Sequence, residues 1–234
     1  ITPIGISYYT LQMISYLIDT SSGKIHSDHS IVDFAVYASF FPTLIQGPIT
    51  RFNEIKDSIL AGNPITYQNL KFGSQRILFG LMKKMIIADR LDPAVSKIFT
   101  SYTQDGLFSL IGAVLCTIQL YMDFSGIVDI CLGSAEIFGI KLPENFRQPF
   151  FAENASDFWR RWHITLGTFL RDYVFYPVSL AKPIRRLSKF FAKYFGKAAG
   201  KFIGPFIALF AVWFLNGLWH GPYWSYIFYG LYYF

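Results

Sequence analysis

From Phe202 to Trp219 the chain runs without a single Asp, Glu, Lys or Arg. Wound as an α-helix, that run is about 27 Å long, close to the thickness of a bilayer's hydrocarbon core. Lipid offers backbone N–H and C=O groups no partner, and a helix supplies all of them internally. Further apolar stretches occupy Ile1–Ile18, Ile31–Thr50, Leu107–Phe124 and Ile127–Ile140. Composition agrees: 53% of residues are apolar and 15% charged, against about 25% charged in ordinary soluble domains. Aromatic residues reach 19%, and such rings gather at membrane–water interfaces. The expected fold class is all-α: a polytopic transmembrane helical bundle with broken or re-entrant helices and interfacial amphipathic ones.

The polar residues inside and between these stretches refine that expectation. Ile1 is preceded by no Met or signal pattern, and the last residues stop within an apolar run. Residues 1–234 are therefore expected to be the central and catalytic part of a single membrane domain, with further helices on both sides. Ser7, Thr10, Gln12 and Ser15 suit a first helix packed among others. Pro42, Gly47 and Pro48 should break the second stretch, as in helices that re-enter or line a cavity. Asn53–Asn69 is polar and expected outside the bilayer. Gln75–Ala88 carries Arg76, Lys83 and Lys84, which predicts a tilted or interfacial helix with snorkelling lysines. Asp129 and Glu136 share a helical face that should turn towards protein or water. Asp123, at the end of its apolar run, reads as a helix terminus or an arginine's partner.

Ala181–Lys201 contains Lys182, Arg185, Arg186, Lys189, Lys193, Lys197 and Lys201 and no acid. Wound as a helix it places Ile184, Leu187, Phe191, Phe195 and Ala198 on one face, with Phe190 a misfit. It is expected to lie on anionic lipid at the cytoplasmic surface. The span beside it favours membrane lipid over nucleic acid as the partner of this basic run.

Of four histidines, two fall in a polar loop and two beside apolar helices. His26 and His29, with Asp28 and Asp33, have metal-like spacing, but a Ser- and Gly-rich loop solvates such rings, and no metal is expected. Cys116 and Cys131 read as buried thiols, neither disulfide nor zinc ligands. The other two stand in DFWRRWHITL and GLWHG, each directly after a tryptophan, within the stretch that opens on Asn145 in NFRQPF. Imidazole titrates near neutrality, so it can take a proton and return it. The bland alternative is a ring satisfied by a backbone carbonyl or anchored among headgroups.

Ala155-Ser156-Asp157 supplies cap chemistry for a helix beginning near Phe158 and carrying Trp159, Arg160, Arg161, Trp162 and His163. Asp157 and Arg161 can pair at i+4. The two arginines suit a phosphate or carboxylate, or else an aromatic belt with flanking positive charge. His220 should occupy the last turn of its helix, where the dipole favours imidazolium, with Asn216 and the close-packing pair Gly217 and Gly221 beside it.

Longer matches then narrow the reading. YMDFSGIVDICLGSAEIFGIKLPENF, DFWRRWHITLGTFLRDYVFYP, GLWHG, FFPTLIQGPITRF and GLMKKMIIADRL together resemble the membrane-bound O-acyltransferase (MBOAT) family over nearly the whole chain. The nearest branch is the bacterial one that includes the membrane subunit of alginate O-acetylation and the teichoic-acid D-alanylating membrane protein. After VFYP the segment SLAKPIRRLSK departs from the alginate-type pattern, where a glycine-rich turn is common. The resemblance implies that His220 is the family's hallmark histidine and His163 the second functional one. The candidate substrate-binding set is Trp159, Arg160, Arg161, Trp162, Asn216, Trp219, Asp123 and Asn145.

The implied activity is transfer of an acyl group, acetyl in the first instance, to a hydroxyl of a cell-envelope polysaccharide. No prosthetic group is implied; an acyl thioester, as acyl-CoA or on an acyl carrier protein, is the cytoplasmic co-substrate. The acceptor is an extracytoplasmic polymer, reached directly or through a partner acyltransferase. D-alanyl transfer to teichoic acid is the alternative within the family. A transporter or flippase is the alternative outside it; that reading uses the broken helix and buried acids but gives the two Trp-His pairs no task.

Overall fold

The computed structural model describes residues 5–25, 29–101 and 105–234, and every regular element among them is helical. They form two compact units, one ending at Thr165 and the other starting at Leu166.

The first unit opens with α1 (Ile6–Ser21), α2 (Ile31–Ala38), α3 (Phe41–Leu44) and α4 (Phe52–Leu60). α1 is inverted relative to a helix bathed in water. Its buried residues are Gln12, Ser15 and Asp19, while Ile6, Ile14, Leu17 and Ile18 are exposed. Of the four polar residues expected to pack, Gln12 and Ser15 are buried and Ser7 and Thr10 are exposed; a buried polar stripe beside exposed apolar residues suits a helix with lipid on its outer side. The second apolar stretch is indeed broken: α2 stops at Ala38, α3 carries Pro42, and residues 45–51 are not helical. Thr50 in that irregular segment is buried, and its carbonyl accepts the hydroxyl of buried Tyr37 at 2.8 Å. A freed backbone group is thus satisfied by protein. The polar region after it contains α4, whose Phe52 and Ile55 join Ile25 and Tyr37 in a small core.

Tyr67–Ser101 is one helical run made of α5 (Tyr67–Leu81), a π-helical stretch (Met82–Ala88) and α6 (Asp89–Ser101). It lies antiparallel to α7 (Gly106–Ile137), and the two meet backbone to backbone. A Cβ added at Gly73 would stand 2.6 Å from the Gly133 carbonyl oxygen, and one at Gly133 would stand 2.6 Å from that of Gly73. Gly80 and Gly126 meet the same way, at 2.5 and 2.8 Å. Both crossings lie two helical turns apart on one stripe.

This packing overturns two expectations. The apolar stretches ending at Phe124 and beginning at Ile127 are one unbroken helix of 32 residues. Gly126 serves the contact with Gly80 instead of a turn, and Ser125 beside it is buried. Nor do the basic residues of the facing run snorkel. Arg76 and Lys83 both reach Asp129, and Lys84 reaches Asp123. Asp129 does face protein, as its helical position predicts. The unit closes on α8 (Ala155–Arg161) and the start of α9 (Ile164–Leu170).

The second unit continues from α9 through a π-helical stretch (Arg171–Phe175) to α10 (Tyr176–Leu180), α11 (Lys182–Phe195), α12 (Lys197–His220) and α13 (Trp224–Tyr233). The basic amphipathic helix is shorter than expected. Gly196, at φ 91° and ψ 161°, ends it in a conformation that only glycine holds without strain. Lys197, Ala198 and Lys201 consequently belong to α12. α11 folds back on α12, with Ser188 and Ala192 against Gly200. Helical spacing gives Phe190 a place here: with Tyr194 it extends the apolar face past Leu187 to the border of the basic one, and both rings are exposed. Among the described residues two helices are long and apolar enough to cross a membrane, α7 and the 24-residue α12.

Candidate functional site

The first cluster is built where α8 gives way to α9. α8 begins at Ala155, earlier than the sequence suggests, because the cap is Asn154: its side chain accepts from the Asp157 N–H at 2.9 Å. The helix ends at Arg161, so Trp162 and His163 do not lie on it. Trp162 is extended, and His163 sits at φ 45°, in the left-handed region that costs a non-glycine residue about 1–2 kcal/mol. Asn145 holds the chain there. Its backbone oxygen accepts from Ile164 N–H at 3.0 Å, and its side-chain oxygen accepts from the Thr165 N–H and hydroxyl at 3.1 and 3.0 Å. Arg147 N–H donates to the Arg161 carbonyl at 2.9 Å, adding a second tie between the same two segments.

His163 is 5% exposed, and its Nδ1 lies 3.3 Å from Asn145 Oδ1. An amide oxygen only accepts, so Nδ1 carries the proton, and in the neutral ring Nε2 keeps the lone pair. The imidazole stands edge-on to Phe124 at 4.8 Å between centroids. Phe146 fills the space between Phe124 (5.0 Å) and Trp162 (5.1 Å), with Tyr121 and Phe158 also packed on Trp162. The result is a buried imidazole in an aromatic wall, its tautomer fixed by an amide.

Asn145, Trp162 and His163 therefore come together, while the other sequence-picked residues of this unit do not join them. Arg161 Nε donates to Asp157 at 2.8 Å, the pairing its spacing predicts. Arg160 is exposed and bonds the Ser156 carbonyl at 3.3 Å. Trp159 stands edge-on to Phe158. Asp123 neighbours Phe124 in sequence, yet its carboxylate is 2.6 Å from Lys84, mid-helix. It is neither a helix terminus nor an arginine's partner. Sequence reasoning did not single out Thr165, Glu144 or Phe146 and read Arg76 only as charge on an interfacial helix; adjacency to Asn145 was the one signal for Glu144 and Phe146.

The second histidine belongs to the other unit. His220 is the last residue of α12, as expected, with Gly221 at the cap. Its ring is edge-on to Trp219 (4.9 Å) and to Tyr229 (5.7 Å). Gly217 and Gly221 both pack on Tyr226, where added Cβ atoms would stand 2.4 Å from its carbonyl oxygen and 2.6 Å from its ring. Asn216, one turn before His220, is buried. Of the loop histidines, His26 and Asp28 lie outside the described residues, while His29 hydrogen-bonds the Tyr16 hydroxyl. Among the described residues no group of three His, Cys, Asp or Glu side chains is placed to hold a metal. Both cysteines are free and half-buried, and the Cys131 thiol donates to the Gln46 carbonyl at 2.9 Å.

Comparison with known proteins follows the same residues. The family model described as MBOAT, membrane-bound O-acyltransferase family, matches residues 6–234. A Pseudomonas aeruginosa protein named "Probable alginate O-acetylase AlgI" is 37% identical over 230 residues, 97% of this chain and 40% of the relative. A Helicobacter pylori peptidoglycan O-acetyltransferase is 33% identical over 265 residues, 99% of this chain and 46% of the relative. A Bacillus subtilis teichoic acid D-alanyltransferase is 30% identical over 232 residues, 98% of this chain and 56% of the relative. This chain thus spans about two fifths of the length of the acetylase relatives it matches. With the match running through both histidine motifs to the last residue, the chain belongs to the membrane-bound O-acyltransferase family.

Proposed function

We propose that the full-length protein is a membrane O-acyltransferase that moves an acetyl group from a cytoplasmic thioester to a hydroxyl of a cell-envelope polysaccharide. The observation that carries this reading is His163: a buried imidazole in a strained backbone, its tautomer set by Asn145, in a chain of this family. Strain of this kind gathers at functional sites. Acetyl is preferred to D-alanyl because the relatives named for acetylation are the more similar ones. His220 is the general base. It takes the acceptor's hydroxyl proton as the oxygen attacks the thioester carbon; the C–O bond forms, the C–S bond breaks, and the proton passes to the leaving thiolate. His163 Nε2, as an acceptor, positions a substrate hydroxyl with Trp159 and Trp162 as substrate contacts of the first unit, and Asn216 and Trp219 are substrate contacts beside His220 in the second.

The test is mass spectrometry of cell-envelope polysaccharides from cells with and without the full-length protein. An ester present only with the protein is expected, and its host names the acceptor. Depletion of a transported solute with no ester formed would overturn the reading in favour of a transporter.

The same reading makes the chain polytopic, with α11 on the cytoplasmic surface and the broken segment around Pro42–Pro48 lining the interior. A cysteine placed at Lys189 or Lys197 should resist an impermeant thiol reagent added outside sealed cells, and labelling there would invert the topology. Arg160 and Arg161 bring charge to the end of α8 for an anionic donor or acceptor. Removing either charge should raise apparent KM about tenfold, the size of one charge-assisted hydrogen bond, with Lys restoring it only in part. Because Arg161 is already engaged by Asp157, Arg160 should show the purer KM effect. Loss of membrane protein with unchanged kinetics would instead make both arginines anchors.

A further inference from the structure

We infer that Arg76 and Glu144 are positioning residues for His163, acting through Asn145. Arg76 grips Glu144 with two prongs, Nη1 to Oε1 at 2.7 Å and Nη2 to Oε2 at 2.6 Å. The same guanidinium donates from Nε and Nη2 to Asp129 Oδ1, both at 3.0 Å, and Lys83 Nζ donates to Asp129 Oδ2 at 2.6 Å. Two cations and two carboxylates make a neutral set spanning α5, the π-helical stretch, α7 and the segment that follows it.

Its position gives the set a task. Asp129 and Lys83 have side chains only 10% and 11% exposed, and a buried ion pair is seldom a net gain over well-packed apolar residues. What such a pair does supply is direction, and the two-pronged grip fixes the plane of the carboxylate as well as its place. Three successive residues then act in series. Glu144 is held by Arg76, Asn145 holds the His163 ring and both polar groups of Thr165, and Phe146 packs on Phe124 and Trp162. Lys83, bonded to Asp129, also lies over Phe79 at 4.6 Å and within 5.8 Å of Tyr121, another ring of the His163 wall. Releasing Glu144 frees the backbone just before Asn145. The left-handed conformation at His163 then loses the frame that maintains it.

Two experiments on the full-length protein test this, and only the first rests on the activity proposed above. In the kinetic one, Glu144→Gln should lower kcat about tenfold with little change in KM, and Arg76→Lys, which keeps charge but loses the fork, should do likewise. In a His163→Ala background Glu144→Gln should change the residual rate less than about twofold, since the group it positions is gone. A full tenfold loss in both backgrounds, or wild-type turnover in Arg76→Lys, would overturn the inference. The second experiment is amide hydrogen exchange at Arg147, Ile164 and Thr165, whose N–H groups tie the two segments together. Glu144→Gln should speed exchange there about tenfold while α12 stays protected. Unchanged exchange at all three would overturn it even if the protein transfers no acyl group at all, and faster exchange would sustain it in that case.

Discussion

Replacing His220 by Ala is expected to abolish detectable ester formation while membrane abundance stays near normal. The ring ends a helix, so its loss opens no cavity within α12, and Gly217 and Gly221 still pack on Tyr226. Removing a general base typically costs about 10²–10⁴-fold in rate, enough to drop below detection in a polymer-modification assay. His163→Ala should cripple turnover but leave more of it, because a residue that positions substrate shows partly in KM. It should also be the less stable of the two variants. His163 is buried, and truncation leaves Asn145 Oδ1 without one of its three donors and Phe124 without one of its edge-on partners. Both variants belong in the full-length protein, with ester product measured per unit of folded enzyme. Normal turnover in His220→Ala removes the proposed mechanism. Equal and complete loss in both removes only the asymmetry between them.

The difference between these histidines shows what was legible in the sequence. GLWHG places His220 correctly because everything that fixes it is local: an apolar run, a glycine-proline stop, and small residues at the right spacing. WRRWHIT does not place His163, because a distant residue breaks the helix that local propensity would continue. Asn145, eighteen positions earlier, offers the backbone of Ile164 and Thr165 another set of bonds, and that competition leaves no trace in the local pattern. The same holds for Gly126. In sequence YMDFSG looks like the end of a span, since glycine after serine is ordinary turn chemistry. Only the opposing glycine of α5 reveals it as a contact surface. The basic residues facing α7 follow suit: their charge is plain, but whether a lysine reaches headgroups or a carboxylate depends on what stands across from it. The buried polar stripe of α1 was legible in part: Gln12 and Ser15 pack inward as polar residues in an apolar helix should, while Ser7 and Thr10 stay exposed.

Closing the glycine crossings should be the most damaging structural change available. At Gly80 and Gly126 an added methyl meets a backbone carbonyl at 2.5 and 2.8 Å, and neither helix can yield by rotating a side chain. Each alanine gains about 1 kcal/mol of helix propensity, but forcing a methyl into a packed interface costs about 1–3 kcal/mol and parts the helices along their length. Separation is not cheap here, because Asp129 depends on Arg76 and Lys83 from the opposite helix, and a carboxylate stripped of its cations costs about 3–5 kcal/mol more. Gly80→Val, with its larger branched side chain, should therefore remove most folded protein from the membrane. Gly80→Ala should lower the Tm of the purified full-length protein by several degrees. Gly80→Ala with Gly126→Ala should cost less than the sum of the two, since one methyl has already opened the contact. Gly106 is the control. It begins α7 with nothing within 4 Å of an added Cβ, so Gly106→Ala should leave Tm unchanged or slightly raised. A Tm for Gly80→Ala equal to that of Gly106→Ala would mean that α5 and α7 do not meet at this distance. The ion set that aligns Asn145 would then need another explanation.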